Sequence, residues 1–481
     1  MNGFNGNRNE LLQHRIWWLI IIGVIVGSVF LRLTFLGDVP HAAYVDEAAT
    51  GANVLCVADS GTSAFGEKWP LFSEVMLGNW EPPTIVYPAA LWSLVAGKSI
   101  AALRLFVAVA VLATILGVFL IARELADLRT ATFAALLATL APWSFQAGRV
   151  FWKCPLAPLF VVWGVYFFFR GLRRKSGATT AVSAGFFSLA LYSYQSAWAQ
   201  VPLICLVLLV FTLRDRDFAM KSVPVFSLTG LALCTPLIVL AINGGLMKRA
   251  GDVSVFGAGI PIGTLRFVRN YLLHFDPMFL FWHGDGNLRH GVGSFGQLSW
   301  LDAFAWIVGL ATLFLMRKSI WPNRTLAIIA VVGVLAGVMP AALSNEGIPH
   351  ALRANGVWPF AALLGAWLLS LQKREHLVNA GVALVGLIFF LCSMTSYFST
   401  YAVRSARFFP ETPEHTARIA AASGTWGDVL AVASPIHARF YMMSLGGLSC
   451  PESAEIANAS MSGAERGRAQ KREKVENDIL K

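Results

Sequence analysis

The sequence predicts an all-α, polytopic membrane protein with about eleven transmembrane helices. The 481 residues are 56% hydrophobic and only 14% charged. Apolar runs of about 17 residues or more recur along most of the chain, as helices that cross a bilayer require. A soluble enzyme of this length would carry more charge and shorter apolar runs.

The formal net charge of +11 does not indicate a nucleic-acid-binding protein. Most Lys and Arg residues lie in short loops between apolar runs, where the positive-inside rule places them on the cytoplasmic side. On that rule we expect a multi-pass protein of the inner (plasma) membrane with a cytoplasmic N-terminus and an outer C-terminus. The lipid bilayer is its expected partner, and no nucleic acid is.

The apolar runs divide into spans that short polar turns separate. The first span covers about residues 17–36 and leads into a long outer loop, residues 37–102. A short apolar segment within this loop, residues 84–97, begins among prolines, and we expect it to lie along the outer interface as a juxtamembrane helix. The remaining predicted spans are 101–122, 131–147, 155–171, 178–194, 197–213, 223–243, 299–316, 325–343, 356–371 and 377–398.

A second large outer loop, residues 244–299, separates two groups of spans. The sequence therefore predicts a transmembrane domain over residues 1–400 that includes both loops. A small outer appendage is expected over residues 401–450. Residues 451–481 are polar and charged, and we expect them to form a mobile tail.

The first outer loop contains the carboxylates best placed for chemistry. Asp46 and Glu47 are adjacent, and Glu81 precedes two prolines. A carboxylate at the membrane surface can take a proton from the hydroxyl of an acceptor. Position alone leaves another interpretation open, in which the acids belong to a solvated loop or to the start of a helix.

Several cations lie at the outer ends of spans, where the positive-inside rule disfavours them. They could extend toward lipid phosphate, or they could form a basic pocket for the phosphate of a lipid-linked substrate. We expect the second role, binding of the donor phosphate, for Arg104, Arg149, Lys153, His350 and Arg353.

Aromatic and polar residues on the outer side are candidates for the wall of a substrate cavity. Tyr194 and Gln195 could equally belong to an aromatic belt at the bilayer surface. The His and carboxylate residues of the second outer loop leave a divalent cation open as a cofactor, but their spacing matches no metal motif, so no ligand is assigned. The residues expected in the cavity are Tyr44, Tyr194, Gln195, Tyr271, His274, Asp285 and His290.

Two of the six cysteines, Cys56 and Cys450, lie in segments predicted to be outside. They could form a disulfide in an oxidising compartment, but nothing in their spacing requires one. The other four lie in or beside apolar spans, where a cysteine usually behaves as a small hydrophobic residue.

The ordered motifs of the outer segments resemble those of GT-C glycosyltransferases, specifically the group of bacterial protein O-mannosyltransferases and aminoarabinose lipid A transferases. The resemblance covers about residues 15–400. In the first loop the motifs are Tyr44-Val-Asp46-Glu47-Ala, Trp69-Pro70-Leu-Phe and Glu81-Pro82-Pro83, with Arg104 opening the next span. The later motifs are Tyr271-Leu-Leu-His274-Phe-Asp276-Pro277, Gly284-Asp285, Arg289-His290 and Pro349-His350-Ala-Leu-Arg353.

The resemblance implies a GT-C fold and an inverting transfer of a sugar from a polyprenyl phosphate on the extracytoplasmic side. It implies that Asp46 is the catalytic base and that Glu47 pairs with, or is oriented by, Arg104. Glu81 matches the acid before the diproline, and His350 and Arg353 would lie near the donor phosphate. Where relatives carry a further acid this chain has Thr62-Ser63-Ala64, so the envelope acceptor (lipid, glycan or protein) stays open.

We therefore expect a glycosyltransferase, transferring a hexose or a pentose, with two other functions in competition. A transporter or flippase of a lipid-linked sugar would carry ionisable residues near the middle of the membrane, whereas here the spans are nearly free of them and the acids collect at one face. A non-catalytic membrane scaffold would neither bind lipid-phosphate donors nor react with them.

Overall fold

The structure is a computed structural model that describes residues 2–76, 79–242, 251, 253–316 and 322–459. Most of the predicted tail and the start of the second outer loop lie outside these residues. The chain divides into two compact units. The first contains Met1–Phe35 and Val107–Ser405, and the second contains Leu36–Phe106 and Ala406–Lys481.

Helices dominate both units, and the elements follow in chain order. The elements of the first half are α1 (Asn2–Leu33), α2 (Val45–Ser60), β1 (Ser73–Met76), β2 (Asn79–Glu81), α3 (Pro83–Ala96), α4 (Ile100–Leu125), α5 (Leu128–Leu140), α6 (Pro142–Ala147), α7 (Leu156–Arg174), α8 (Gly177–Ser193), α9 (Ser196–Thr212) and α10 (Arg216–Ile242). Those of the second half are α11 (Ile260–Leu273), α12 (Trp300–Met316), α13 (Arg324–Ala342), α14 (Trp358–Ser370), α15 (Glu375–Ser396), α16 (Thr412–Ser423), α17 (Gly427–Val432), α18 (Pro435–Ser444) and α19 (450–459).

The chain is a multi-pass membrane protein. Among the described residues, six helices are long and apolar enough to cross a bilayer, namely α1, α4, α7, α10, α13 and α15 with its continuation to Phe408. Every predicted span coincides with a helix, but several of these helices are shorter, and the predicted span 131–147 is divided between α5 and α6 at Pro142. The predicted count of about eleven spans therefore stays a prediction.

The first unit is a helical bundle in which both sequence neighbours and helices far apart in the chain pack together. The pairs α7–α8 and α8–α10 are in contact, as are α9–α13, α5–α14 and α1–α15.

Side-chain caps define where the shorter helices begin. Asp127 accepts a hydrogen bond from the Thr130 N–H at 2.8 Å before α5, and Ser176 accepts one from the Thr179 N–H at 3.3 Å before α8.

The second unit is built around α2, which packs against α3 and α18. Close approach requires a glycine at position 51, because a Cβ there would lie 2.7 Å from the Phe440 ring. The helix ends at Gly61, whose φ of 68° is the left-handed conformation that favours glycine. The predicted appendage forms helices α16 to α18, and these belong to the same compact unit as the first outer loop.

A disulfide joins the two sequence segments of the second unit, since Cys56 on α2 is bonded to Cys450 at the start of α19. The buried guanidinium of Arg439 on α18 lies against this bond. Its Nη2 is 3.2 Å from Cys450 Sγ and 3.2 Å from the Cys450 carbonyl oxygen, and its Nη1 donates to the Ala64 carbonyl. The disulfide, which the sequence indicated only as a possibility, is thus present in the structure.

Candidate functional site

Each unit contains a cluster of buried ionisable side chains, and the cluster of the second unit is built on the first turn of α2. Tyr44 is extended and precedes the helix, and its backbone N–H donates to Glu47 Oε2 at 3.1 Å. This contact is the return half of a capping box, which fixes where the helix begins. It also holds Asp46 and Glu47 in adjacent positions with different surroundings.

Glu47 and Arg104 are both completely buried and form a two-pronged ion pair. Arg104 Nε donates to Glu47 Oε1 and Nη2 donates to Glu47 Oε2, each at 2.9 Å. The remaining N–H groups donate to the carbonyl oxygens of Leu36, Pro40 and Ala42 at 2.7 to 2.9 Å. Arg104 therefore orients Glu47, as the motif implies.

This closed network argues against the expected contact between Arg104 and a donor phosphate. A guanidinium carries five N–H donors, and all five are directed at protein oxygens here. A phosphate oxygen would have to displace one of the carbonyls, which would leave a buried acceptor unsatisfied. The position of Arg104 at a span end gave no indication of this enclosure.

Asp46 has the opposite environment, because its side chain is exposed. The Tyr44 hydroxyl donates to Asp46 Oδ2, while the Tyr44 ring is buried and meets the Phe409 ring edge-on at 6.2 Å. One carboxylate oxygen is thereby held by a fixed donor. The other is available to a hydroxyl that approaches from solvent or from a bound substrate.

Two side chains of α18 lie behind this turn and were missed in the sequence. His437 and Tyr441 are buried, and their rings stack at 5.1 Å. The Ala43 backbone interacts with both the His437 ring and the Tyr441 hydroxyl. Burial lowers the pKa of His437 to about 4, while burial and then the charge of Glu414 raise the pKa of Tyr441. Both side chains are therefore neutral at physiological pH.

Glu81 is buried at the end of a two-stranded antiparallel hairpin. In this hairpin Ser73 pairs with Glu81 and Glu74 pairs with Trp80. Asn53 on α2 holds the hairpin, because its Nδ2 donates to the Glu74 carbonyl at 2.9 Å. Glu81 is thus a fixed part of the second unit, and nothing in the sequence indicated the hairpin that holds it.

The cluster of the first unit is centred on three histidines, and His274 fixes the position of another. The backbone N–H of His350 donates to His274 Nε2 at 3.0 Å. Because Nε2 accepts this bond, the proton is on Nδ1, which lies 2.7 Å from the Asn270 carbonyl oxygen. Burial also lowers the pKa of His274. His274 is therefore neutral and positions His350. The sequence had predicted that His274 lines the substrate cavity.

Asp285, His290 and His350 meet beside it. Asp285 Oδ2 lies 3.2 Å from His290 Nδ1 and accepts the Ala351 N–H at 2.9 Å. Burial raises the pKa of Asp285, but the hydrogen bond and charge of His290 outweigh it, so this pKa is below its usual value. Burial, and then the charges of His290 and Arg353, lower the pKa of His350 to about 3.

These three residues are also the one group in the described chain whose ligand atoms lie close enough to hold a cation, all within 4.8 Å of one another. Two imidazoles and a carboxylate suit several divalent ions, and the buried His350 Nδ1 has no partner in the described chain. The His290 and His350 rings, however, stack at 4.8 Å with an angle of 18°. Stacked rings direct their in-plane nitrogens side by side, so the set fits an ion only if one ring turns.

The other expected phosphate ligands divide into two groups. Arg353 is half-buried, forms an ion pair of 2.6 Å with Glu346, and donates to Ser344, while Lys153 is half-buried beside Trp152. Both remain near a polar surface.

Arg149, by contrast, is fully buried at the C-terminal end of α1. It donates to the carbonyl oxygens of Leu31, Arg32, Thr34 and Phe35 at 2.9 to 3.1 Å. These contacts cap the helix and argue against the expected role in binding phosphate.

The remaining cavity candidates lie at helix ends. Tyr194 is half-buried and Gln195 is exposed where α8 meets α9. The Tyr271 hydroxyl donates to the Leu335 carbonyl on α13 at 3.0 Å. Tyr271 therefore ties α11 to a membrane helix, a packing contact that the sequence did not predict.

Comparisons with known proteins agree with this architecture. Residues 80–240 match the family model described as dolichyl-phosphate-mannose-protein mannosyltransferase. No curated protein sequence matches the chain significantly. Among solved structures, ArnT from Cupriavidus metallidurans in the apo state is 16% identical, with 93% of this chain and 75% of ArnT covered and a TM-score of 0.50.

Two further structures are similar. ArnT from Cupriavidus metallidurans bound to undecaprenyl phosphate is 16% identical, with 92% and 77% of the two chains covered and a TM-score of 0.50. The oligosaccharyltransferase of Archaeoglobus fulgidus is 14% identical, with 84% and 58% covered and a TM-score of 0.47. The chain has the GT-C fold of ArnT, and the resemblance inferred from its motifs is confirmed at this level.

Proposed function

We propose that this protein is an integral-membrane glycosyltransferase that moves a monosaccharide from a polyprenyl phosphate to an envelope acceptor, with inversion. The ArnT-like fold and the match to the mannosyltransferase family model support this general class. The ArnT structure that contains undecaprenyl phosphate supports a lipid phosphate as the carrier of the sugar. The acceptor is a lipid, glycan or protein of the envelope.

The observation that carries the proposal is the contrast between Asp46 and Glu47. Glu47 is enclosed by Arg104 and fixes the start of α2. Asp46, one residue earlier, is exposed and positioned by the Tyr44 hydroxyl. A base must reach its substrate while its surroundings stay rigid, and Asp46 alone of the two carboxylates meets both conditions.

In the proposed reaction the acceptor hydroxyl loses its proton to Asp46 as its oxygen attacks C1 of the sugar. The bond between C1 and the phosphate oxygen breaks, and the polyprenyl phosphate leaves with the bonding electron pair. Attack from the side opposite the leaving group inverts the configuration at C1. The leaving phosphate gains negative charge, so cations or N–H donors must face it.

We propose that His350, Arg353 and Lys153 bind the donor phosphate, together with His290, which contacts Asp285. These residues keep a polar, incompletely buried position in the first unit. Arg104 and Arg149 are omitted, because carbonyl and carboxylate oxygens already accept their N–H groups. Glu81, Tyr194, Gln195 and Tyr271 keep no more than a supporting role in this proposal.

We further propose that the reaction occurs on the extracytoplasmic side of the inner (plasma) membrane. The disulfide between Cys56 and Cys450 supports this orientation, since such bonds persist in oxidising compartments. It lies in the same unit as Asp46. The cytoplasmic N-terminus and outer C-terminus follow from the positive-inside rule.

The experiment is a donor panel. Purified protein in detergent is incubated with short-chain polyprenyl phosphates that carry different labelled hexoses or pentoses, with an envelope extract as acceptor source. Release of polyprenyl phosphate from one donor, with label entering the extract, supports the transferase. Binding without release, combined with movement of the donor across vesicles, would identify a flippase, and the absence of both binding and release would identify a scaffold.

A further inference from the structure

A cavity of about 350 Å³ lies within the first unit, among α7, α8, α9 and α10. Its lining is mostly apolar and includes Pro202 and Leu206, which are exposed at its open side, and the half-buried Phe226. From Pro202 to Thr212 it follows about 15 Å of α9, at about 1.5 Å per residue. The volume is that of roughly a dozen waters at about 30 Å³ each, but an apolar wall of this kind suits a hydrocarbon chain instead.

One end of the cavity is polar. Thr180, Thr212 and Ser222 line it where α8 begins, α9 ends and α10 begins. The Thr180 and Thr212 hydroxyls donate to carbonyls of their own helices, at 3.0 Å and 2.9 Å. The Ser222 side chain is 2% exposed, and its hydroxyl has no partner within the described chain. A buried hydroxyl without a partner indicates a ligand or a water in the cavity.

The same end of the bundle is positively charged. Arg174, Arg216 and Lys221 are exposed and form no ion pair within the described ranges. Two carboxylates lie at the start of α10: Asp215, just before the helix, already pairs with Lys175 at 3.0 Å, and Asp217 lies in the first turn. Lys221 directly precedes Ser222, so a cation lies one residue from the unpartnered hydroxyl.

We propose that this cavity binds one anionic phospholipid of the surrounding leaflet. One acyl chain fills the apolar part beside Leu206 and Phe226, and the Ser222 hydroxyl donates to a lipid ester carbonyl. Lys221, Arg216 and Arg174 face the phosphate and its headgroup. Basic residues at the cytoplasmic ends of membrane helices attract anionic lipids in general, and the charge pattern predicts that this end is cytoplasmic.

This site is independent of the proposed catalytic residues, since the cavity is lined by α7 to α10 only. Among the membrane-capable helices of the described chain, α10 has the smallest share of buried residues, 11% of its 18-residue apolar window. Lipid therefore has direct access to this side of the bundle. A bound phospholipid would cover apolar surface that α10 otherwise presents to mobile lipid.

The test uses the full-length protein in nanodiscs of equal phosphatidylglycerol and phosphatidylcholine, followed by native mass spectrometry of the released protein. We expect one retained phosphatidylglycerol per chain. Leu206→Trp fills the cavity and should abolish retention, whereas Val210→Trp, one turn along α9 and exposed, should leave it unchanged. Lys221→Gln should weaken retention about fivefold, and Lys98→Gln, which makes the same change at an exposed lysine elsewhere, should have no effect.

Several results would overturn the proposal. Equal retention of the two lipids would exclude selection by the cations. Retention that survives Leu206→Trp would place the lipid elsewhere, and retained detergent in place of lipid would show adventitious filling. Gel filtration and the melting temperature of each variant identify any that fails to fold, and Ser222→Ala, a small change, then replaces Leu206→Trp with an expected loss of several-fold.

Discussion

Asp46 and Glu47 are adjacent in the chain and chemically alike, yet the structure gives them different roles. Glu47 is buried and accepts two hydrogen bonds from Arg104 and one from the Tyr44 N–H, while Asp46 is exposed beside the Tyr44 hydroxyl. The separation of roles follows from the helical turn, which directs neighbouring side chains in different directions. Sequence motifs identify the pair, but only the fold determines which carboxylate is free to react.

The first prediction concerns the buried ion pair. Arg104→Ala leaves Glu47 and three carbonyl oxygens without their donors, so we expect a loss of stability of about 3–5 kcal/mol. Arg104→Lys should be intermediate, because it keeps the charge and loses the two-pronged geometry. Thermal unfolding in detergent measures both. A variant that keeps the wild-type melting temperature but binds the donor more weakly would instead indicate that Arg104 contacts the donor phosphate.

The second prediction concerns pH and His437. Its pKa is about 4 in the folded protein against an ordinary value of 6.5, so the unfolded chain binds more protons between these values. Stability should therefore rise with pH across that window, by up to about 3 kcal/mol from this residue. The charge of nearby Glu47 raises this pKa and so offsets a part of the effect of burial.

The measurement is the melting temperature at about pH 5 and about pH 7.5, for the wild-type protein and for His437→Gln. The substitution should reduce the difference between the two temperatures. His415→Gln, at an exposed histidine of α16, is the matched control and should leave the difference unchanged. An identical pH response in all three proteins would contradict the assignment of a buried, neutral His437.

Helix α2 connects Asp46, the proposed base, to the rest of its unit. Its first turn carries Asp46, its middle carries Asn53, which holds the hairpin, and its last turns carry Cys56. The sequence predicted the helical spans well, because long apolar runs determine them locally. It did not predict the hairpin, whose strands are only four and three residues long. Nor did it predict α18, whose packing against α2 joins residues hundreds of positions apart.

The same limit explains why the contacts of Arg104 and Arg149 could not be predicted. Arg149 and Arg104 looked like phosphate ligands because they lie at the outer ends of spans. In the structure they cap α1 and enclose Glu47, contacts that depend on how distant segments meet. His437 and Arg439 carried no signal at all, because their segment follows the last span and matches no motif.

The third prediction tests the disulfide that joins α2 to α19. Replacing both cysteines, Cys56→Ser with Cys450→Ser, should lower the free energy of unfolding by about 2–5 kcal/mol. Two of the five Arg439 contacts would also be changed. Cys392→Ser, at an exposed free cysteine, is the control and should have no effect. Equal melting temperatures for the wild-type protein, the double variant and the control would contradict a stabilising disulfide. Free thiols at both positions in protein isolated from membranes would contradict the disulfide itself.

The proposed reaction requires that the whole protein has one defined orientation in the membrane. The positive-inside rule predicts that Lys98 lies outside and Arg174 inside. We expect Lys98→Cys in intact cells to react with a membrane-impermeant maleimide, and Arg174→Cys to react only after the membrane is opened. Cys392→Ser serves as the background. The reverse labelling pattern would invert the topology and place the disulfide in a reducing compartment.

We propose that the Asp46 carboxylate is the base for transfer from a polyprenyl phosphate. This role is tested by the rate of polyprenyl phosphate release, measured with the reactive donor and acceptor at saturating concentrations. The rate is compared between Asp46→Asn and a control, Asp38→Asn, which changes an exposed aspartate eight residues earlier. We predict that Asp46→Asn remains folded and loses about 100- to 10,000-fold in rate, while Asp38→Asn keeps the wild-type rate. A folded Asp46→Asn protein with the wild-type rate would contradict the account.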